Sequence, residues 1–219
     1  KVFAIVEAEM PLVISSSPQG GSSAHIQEAG MVAQINAEIL TGIALTQMIG
    51  PGAPVLYGSV PVRARLDTLH DFYGAPEFIH YNTDCIQLAR EYKLPCYSTA
   101  GVGDAKVPGI QSTVEKVFSQ LHIAAAGAQY VHYAFGLLEK TNVFCPVQAV
   151  LDDAHIGIVR DILRQASFTE DDVASAAKEV RAVMQSKTKL FARYIRKTTR
   201  RGLVSEPYGL ETDEAQDLV

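Results

Sequence analysis

Hydrophobic and polar positions along this chain alternate between two rhythms. Short apolar or β-branched runs at 12–17 (LVISSS), 54–58 (PVLYG), 96–99 (CYST) and 129–135 (QYVHYAF) have the length of strands, and 2–6 (VFAIV) reads as a further short buried segment. Between the runs the period lengthens. Over about 26–49, Val32, Ile35, Ile39 and Ile43 recur at spacings of three and four, and Leu40, Ala44 and Met48 widen that stripe into a face packed on a core. Gly42 stands inside this helix at a cost of about 1 kcal/mol relative to Ala, which a close approach to a strand would explain. Gly50-Pro51-Gly52 stops the helix. A polar connection through Arg63, Arg65, Asp67, His70 and Asp71 leads to Gly74-Ala75-Pro76-Glu77, where Pro and Glu suit the first turn of a helix running to about Tyr92 with Ile79, Ile86 and Leu88. A third helix is expected over 110–126, through Val114, Val117, Phe118 and Leu121, with Gly127 as its C-cap, and a fourth over 147–163. Beyond it, Thr169-Glu170-Asp171-Asp172 resembles a capping box that opens a helix with Val173, Ala176, Val180 and Val183 on one face.

Strands that alternate with helices at this spacing imply an α/β chain with a parallel sheet, open or closed, and four such units amount to half of an eight-fold TIM-type barrel. The expected division is a barrel half over 1–163 and a peripheral helical extension over 164–219. In parallel α/β architectures polar working groups are displayed just beyond the C-terminal end of a strand. That makes the loop within 95–116 (PCYSTAGVGDAKVPGIQSTVEK) the first place to look, with Asp104 and Lys106 as its charged residues. An exposed turn carrying a solvated ion pair fits the same local pattern.

Composition narrows the partners. The chain has 219 residues, 47% hydrophobic and 20% charged, long enough for a sizeable core in one domain or one large fragment of a domain. A net charge of −5 and a pI near 5.7 argue against nucleic acid held by a general positive field. Cys85, Cys96 and Cys145 are odd in number and widely spaced, which supports neither a disulfide framework nor a zinc site, so a reducing cytoplasm is expected. No apolar run reaches the ~20 residues of a membrane helix, and a soluble protein is expected. The first residue is Lys1, which leaves open an excerpt of something longer. Lys187, Lys189, Arg193, Arg196, Lys197, Arg200 and Arg201 form a basic stretch, either a solvated face or a surface for an acidic partner.

Several stretches carry a resemblance. Gly20-Gly21-Ser22-Ser23, Asn36-Ala37-Glu38-Ile39-Leu40-Thr41-Gly42-Ile43 and Pro51-Gly52-Ala53-Pro54-Val55-Leu56-Tyr57-Gly58 are followed by Gly74-Ala75-Pro76-Glu77 and Gly103-Asp104-Ala105-Lys106-Val107-Pro108. Gln111, Glu115-Lys116 and Ala126-Gly127-Ala128 leading to Leu138-Glu139 complete the series. In order and spacing the chain resembles the trimethylamine methyltransferase family, the corrinoid-dependent amine methyltransferases whose founding members carry pyrrolysine. The resemblance covers about 11–163 and implies the later half of a (β/α)8 barrel. It also implies transfer of a methyl group from a methylated amine to the Co(I) of a separate corrinoid protein. The cobalamin then belongs to that partner, and this chain itself is expected to bind no cofactor or metal.

One position departs from the founding members. Their pyrrolysine sits two places before the Asp-Ala-Lys run, where this chain has Val102. An aliphatic side chain cannot form a covalent amine adduct, so the better analogues are relatives without pyrrolysine that demethylate quaternary amines such as glycine betaine, proline betaine or carnitine. A quaternary ammonium already leaves as a neutral amine and needs orientation rather than protonation, worth on the order of 7–11 kcal/mol. Aromatic faces suit such a cation, at roughly 0.5–2 kcal/mol each when desolvated. Tyr57, Tyr97, Tyr133 and Phe135 lie at or near predicted strand ends, with plain packing as the alternative, and Gly101 and Val102 would form the pocket floor. His132 would orient the amine or bind a substrate carboxylate, unless it is a satisfied core histidine. Asp104 and Glu139 would supply negative potential, Lys106 and Gln111 would brace the loop, and Asp152 and Asp153 read as helix-surface residues. Half a barrel leaves two sheet edges exposed, so a homo-oligomer is expected. The rival readings are a non-catalytic barrel fragment and a betaine-binding module.

Overall fold

Strand side chains point alternately to two faces of a sheet, and the apolar runs cohere because helices cover one of those faces. In the computed structural model, which describes residues 1–187 and 191, the elements run α1 (Val2–Glu7), β1 (Leu12–Ser16), β2 (Gln19–Gly20), α2 (Glu28–Ile49), β3 (Val55–Ser59), β4 (Val62–Ala64) and β5 (Asp71–Phe72). They continue as α3 (Pro76–Glu91), β6 (Cys96–Thr99), α4 (Ile110–Ala126), β7 (Tyr130–His132), β8 (Leu137–Leu138), β9 (Val143–Phe144), α5 (Pro146–Leu163) and α6 (Glu170–Gln185). The chain divides into two units, Lys1–Val159 and Arg160–Val219.

The four expected runs form one four-stranded sheet in the order β1-β3-β6-β7, with every pairing parallel. Tyr57 pairs with Cys96 and Gly58 with Tyr97, so Tyr57 and Tyr97 project to opposite faces. The Tyr57 face is the core, where Met31, Ile35 and Ile39 of α2, Tyr81, Cys85 and Ile86 of α3 and Ile123 of α4 are buried together with Cys96. Burial pushes the Cys85 and Cys96 thiols up to about 12, so they act as small core residues. Helix α2 is long and apolar enough to cross a bilayer by composition. Here it packs on β1, β3 and α3, as a core helix does.

Gly42 stands at a close approach of α2 to β1. A Cβ there would stand 2.5 Å from Ile14 Cγ2 of β1. Gly42→Ala gains about 1 kcal/mol of helix propensity but overpacks this contact at about 1–3 kcal/mol. A lower urea midpoint, by an amount equivalent to about 1 kcal/mol, is the expected outcome, and a higher midpoint would show that Ile14 yields.

Some expectations are corrected. Residues 2–6 form helix α1, none of whose residues is buried. Met48 is 81% exposed, because the buried stripe of α2 runs through Met31, Ile35, Ile39 and Thr46. The polar connection after β3 holds β4 and β5, which join β2 in a small sheet too short for any period to show. Strand β7 stops at His132 because Tyr133 turns left-handed, with φ 64°.

Helix α4 begins and ends at 110 and 126 as predicted, with Gly127 left-handed at its C-cap. Apart from Ile123, which is buried in the core, and the half-buried Val117 and Leu121, its burial runs against its hydrophobic pattern. Ser112, Lys116, Ser119 and Gln120 are buried, while Ile110, Val114 and Phe118 are exposed. Val114 and Phe118 line a cavity of about 300 Å³ together with Tyr73, Pro76, Ile79 and His122.

In the second unit, Thr169 caps α6 by accepting from Asp172 N–H, and the Asp172 carboxylate accepts from Thr169 N–H at 2.8 Å. Of the face expected on this helix, Val183 is buried and Val173 and Val180 are exposed. Lys187 is the first residue of the basic stretch, and most of that stretch lies outside the described residues.

Candidate functional site

The carboxyl ends of the four parallel strands deliver their loops to one edge of the sheet, and the loop after β6 is pinned from several directions. Ala100 N–H donates to His132 O at 3.3 Å. Gly101 adopts φ +76°, donates its N–H to Ser119 Oγ at 3.0 Å and accepts from Lys116 Nζ at 2.7 Å. Asp104 N–H donates to Glu115 Oε2 at 2.8 Å, and the Asp104 carboxylate accepts from Gly74 N–H at 2.7 Å and Tyr73 N–H at 3.3 Å. Burial pushes the Asp104 carboxyl up, opposed by those two backbone donors. On the other flank, Glu139 N–H donates to Ala105 O at 2.7 Å and Lys140 N–H to Gly103 O at 2.8 Å.

Beneath the loop lies an ion pair with both side chains fully buried. Lys116 Nζ stands 2.8 Å from Asp152 Oδ2. The same oxygen accepts from Gly136 N–H at 2.7 Å, and Asp152 Oδ1 accepts from Gln148 Nε2 at 2.8 Å. Burial lowers the Lys116 ammonium below its ordinary value, offset in part by Asp152. Asp152 therefore corrects the expectation of a helix-surface residue.

On the sheet face opposite the helix-covered core, Tyr97, Thr99, Tyr130 and His132 share one side by register. The Tyr97 and Tyr130 rings stack at 5.3 Å with an interplanar angle of 9°. The centroid of Tyr97 lies 4.9 Å from that of His132, which in turn lies 3.4 Å from that of Tyr133. Burial pushes the Tyr97 hydroxyl up to about 12, so it is a neutral phenol near pH 7. His132 is lowered by desolvation, and among the described residues its buried Nδ1 has no hydrogen-bond partner.

Tyr97, Gly101, Val102, Asp104, His132, Tyr133 and Glu139 thus come from loops and strand ends that adjoin one another. Tyr57 does not join them, since it is fully buried on the opposite face and its hydroxyl donates to Asn36 Oδ1 at 3.1 Å. Val102 is also fully buried, in an apolar cluster with Val62, Tyr73 and Phe78 on which Tyr133 packs. Val102 thus forms part of the core beneath the loop. Phe135 is 46% exposed. The Glu139 carboxylate pairs with Lys106 at 3.7 Å on the exposed surface, so Lys106 answers that charge rather than gripping the loop. Gln111 braces the loop indirectly, by donating to Glu115 Oε1 at 2.8 Å. Sequence reasoning missed Tyr130, Gln120 and Asp152. The polar stripe 112/116/119/120 on α4 was the available signal for Gln120.

His132 and His155 are both lowered, chiefly by desolvation. Below about 6.5, their ordinary value, the unfolded chain takes up protons that the folded chain resists. Stability is therefore expected to be complete above that pH and to fall as the pH drops to 5, measured by urea unfolding. His132→Gln should flatten part of that slope.

The sheet thus carries an aromatic row on one face and braced loops at its carboxyl edge, which is where ligand sites lie in parallel α/β architectures. This chain belongs to the trimethylamine methyltransferase family, which matches residues 2–193. It is 30% identical over 173 residues to a glycine betaine methyltransferase of Desulfitobacterium hafniense, covering 79% of this chain and 36% of that protein. It is 33% identical over 165 residues to a trimethylamine methyltransferase of Methanosarcina barkeri, covering 75% and 33%. The chain spans about a third of the length of these relatives.

Proposed function

We propose that this chain is the later part of the barrel of a pyrrolysine-independent methyltransferase, which moves a methyl group from a quaternary amine of the betaine type to the Co(I) of a corrinoid protein. The observation that carries this reading is the aromatic row Tyr97–Tyr130–His132 on the sheet face away from the core, along β6 and β7 with His132 at the carboxyl end of β7. Stacked aromatic rings attract a cation that has no hydrogen to donate, at roughly 0.5–2 kcal/mol per ring. The methyl–nitrogen bond breaks with its electron pair left on nitrogen, which departs as a neutral amine, so no general acid is required. Asp104 then serves as a brace, its carboxylate engaged by Gly74 and Tyr73. Full burial of Val102 supports pyrrolysine independence, because the side chain at that position is spent on the core.

The test mixes the protein with a corrinoid protein reduced to Co(I) and follows methyl-cobalamin absorbance. Glycine betaine should yield the methylated product and trimethylamine should not; product from trimethylamine alone would overturn the substrate assignment. A second reading, a barrel portion or betaine-binding module without turnover of its own, is favoured by the sheet edges. Among the described residues β1 and β7 each pair on one side only. Betaine binding by calorimetry with no methyl transfer would select that reading.

A further inference from the structure

The segment 133–140, which follows the aromatic row, holds four left-handed positions in eight residues: Tyr133 (φ 64°), Gly136 (φ 73°), Glu139 (φ 47°) and Lys140 (φ 69°). Three of the four are not glycine, and such conformations persist only where the surroundings over-determine them. Here the restraints can be named. Gly136 N–H is held by Asp152 Oδ2 at 2.7 Å, and Ala134 O accepts from Gln120 Nε2 at 3.1 Å. The N–H groups of Glu139 and Lys140 bond the carbonyls of Ala105 and Gly103.

Lys116 closes the circuit from the other side. Its ammonium bridges Gly101 O and Asp152 Oδ2, so one buried pair ties the loop after β6 to the loop after β7. Gly101 precedes Val102, and Tyr133 packs on the cluster that contains Val102. Burying two charges costs desolvation that a well-packed apolar pair would avoid, so stability alone does not account for this pair. What an apolar pair could not do is hold a carbonyl oxygen and an N–H from two different loops at fixed separation.

We propose that Lys116 and Asp152 are positioning residues for the quaternary-ammonium site. By joining Gly101 O to Gly136 N–H, they set the left-handed turn at Tyr133 and with it the register of the Tyr133, His132 and Tyr97 rings. The role in binding rests on the functional reading above, whereas the geometric claim stands without it.

The experiment compares the wild-type chain with Asp152→Asn, with Gln148→Met, which leaves the pair but frees the Asp152 carboxylate to rotate, and with Ile123→Ala as a destabilised core control. The readouts are the ring-current-shifted His132 Cε1–H signal by NMR and glycine betaine affinity by calorimetry. In Asp152→Asn the His132 signal should move toward its unstacked position and betaine affinity should fall at least tenfold. Gln148→Met should shift the signal less and in the same direction, and Ile123→Ala should leave both readouts unchanged. If Asp152→Asn does not fold, Gln148→Met alone decides. An unmoved His132 signal in whichever of the two variants is folded overturns the proposal, as does an equal shift in Ile123→Ala. If the wild type binds no betaine but the His132 signal still moves, the functional reading fails and the clamp stands.

Discussion

Lys116→Met is expected to destabilise the protein by about 3–5 kcal/mol, the usual cost of removing one partner of a buried ion pair. The loss arises on two sides. The fully buried Asp152 carboxyl loses its cationic partner while Gly136 N–H and Gln148 Nε2 still donate to it. Gly101 O loses its partner in a turn where no strand bond replaces it. The double variant Lys116→Met/Asp152→Leu removes the stranded charge but leaves Gly136 N–H and Gln148 unpaired. It should therefore cost less than the sum of the singles, with a coupling of about 1–3 kcal/mol in a double-mutant cycle. Urea unfolding at unchanged m-value is the measurement, and additive singles would show that the pair contributes nothing as a pair.

Gly101→Ala is the second large effect, expected at about 2–5 kcal/mol. A left-handed conformation costs an alanine roughly 1–2 kcal/mol, and φ at this position is +76°. The new methyl would also stand 2.8 Å from both Ala134 O and Gln120 Nε2, a crowding worth about 1–3 kcal/mol. Because Gln120 holds Ala134, relief of that contact would have to displace the segment that follows the aromatic row. A stability loss well under 1 kcal/mol would mean that the loop yields freely and is not a rigid part of the site.

How far the site was legible varies by residue. The aromatic candidates at strand ends were found from composition and position, and register then sorted them: Tyr97, His132 and Tyr133 meet, whereas Tyr57 falls on the core face. Tyr57 and Tyr97 look alike in sequence, since each is a tyrosine within a short β-rich run. Only the pairing of Tyr57 with Cys96 reveals that they point opposite ways. Val102 was visible as an anomaly of chemistry, but its burial depends on Val62, Tyr73 and Phe78, which arrive from other segments.

Helix α4 shows the boundary most plainly. Its ends were determined locally, by apolar period and by a glycine able to turn left-handed at 127, so sequence placed both within a residue. Its buried face was not, because Lys116 is drawn inward by Asp152, 36 positions away, and by Gly101 O across the loop. Local propensity and period determined where strands and helices lie, how they alternate and hence the parallel sheet. Which side of each element became core and which became site was decided by tertiary structure alone, since burial of a polar group is tolerated only where long-range partners satisfy it.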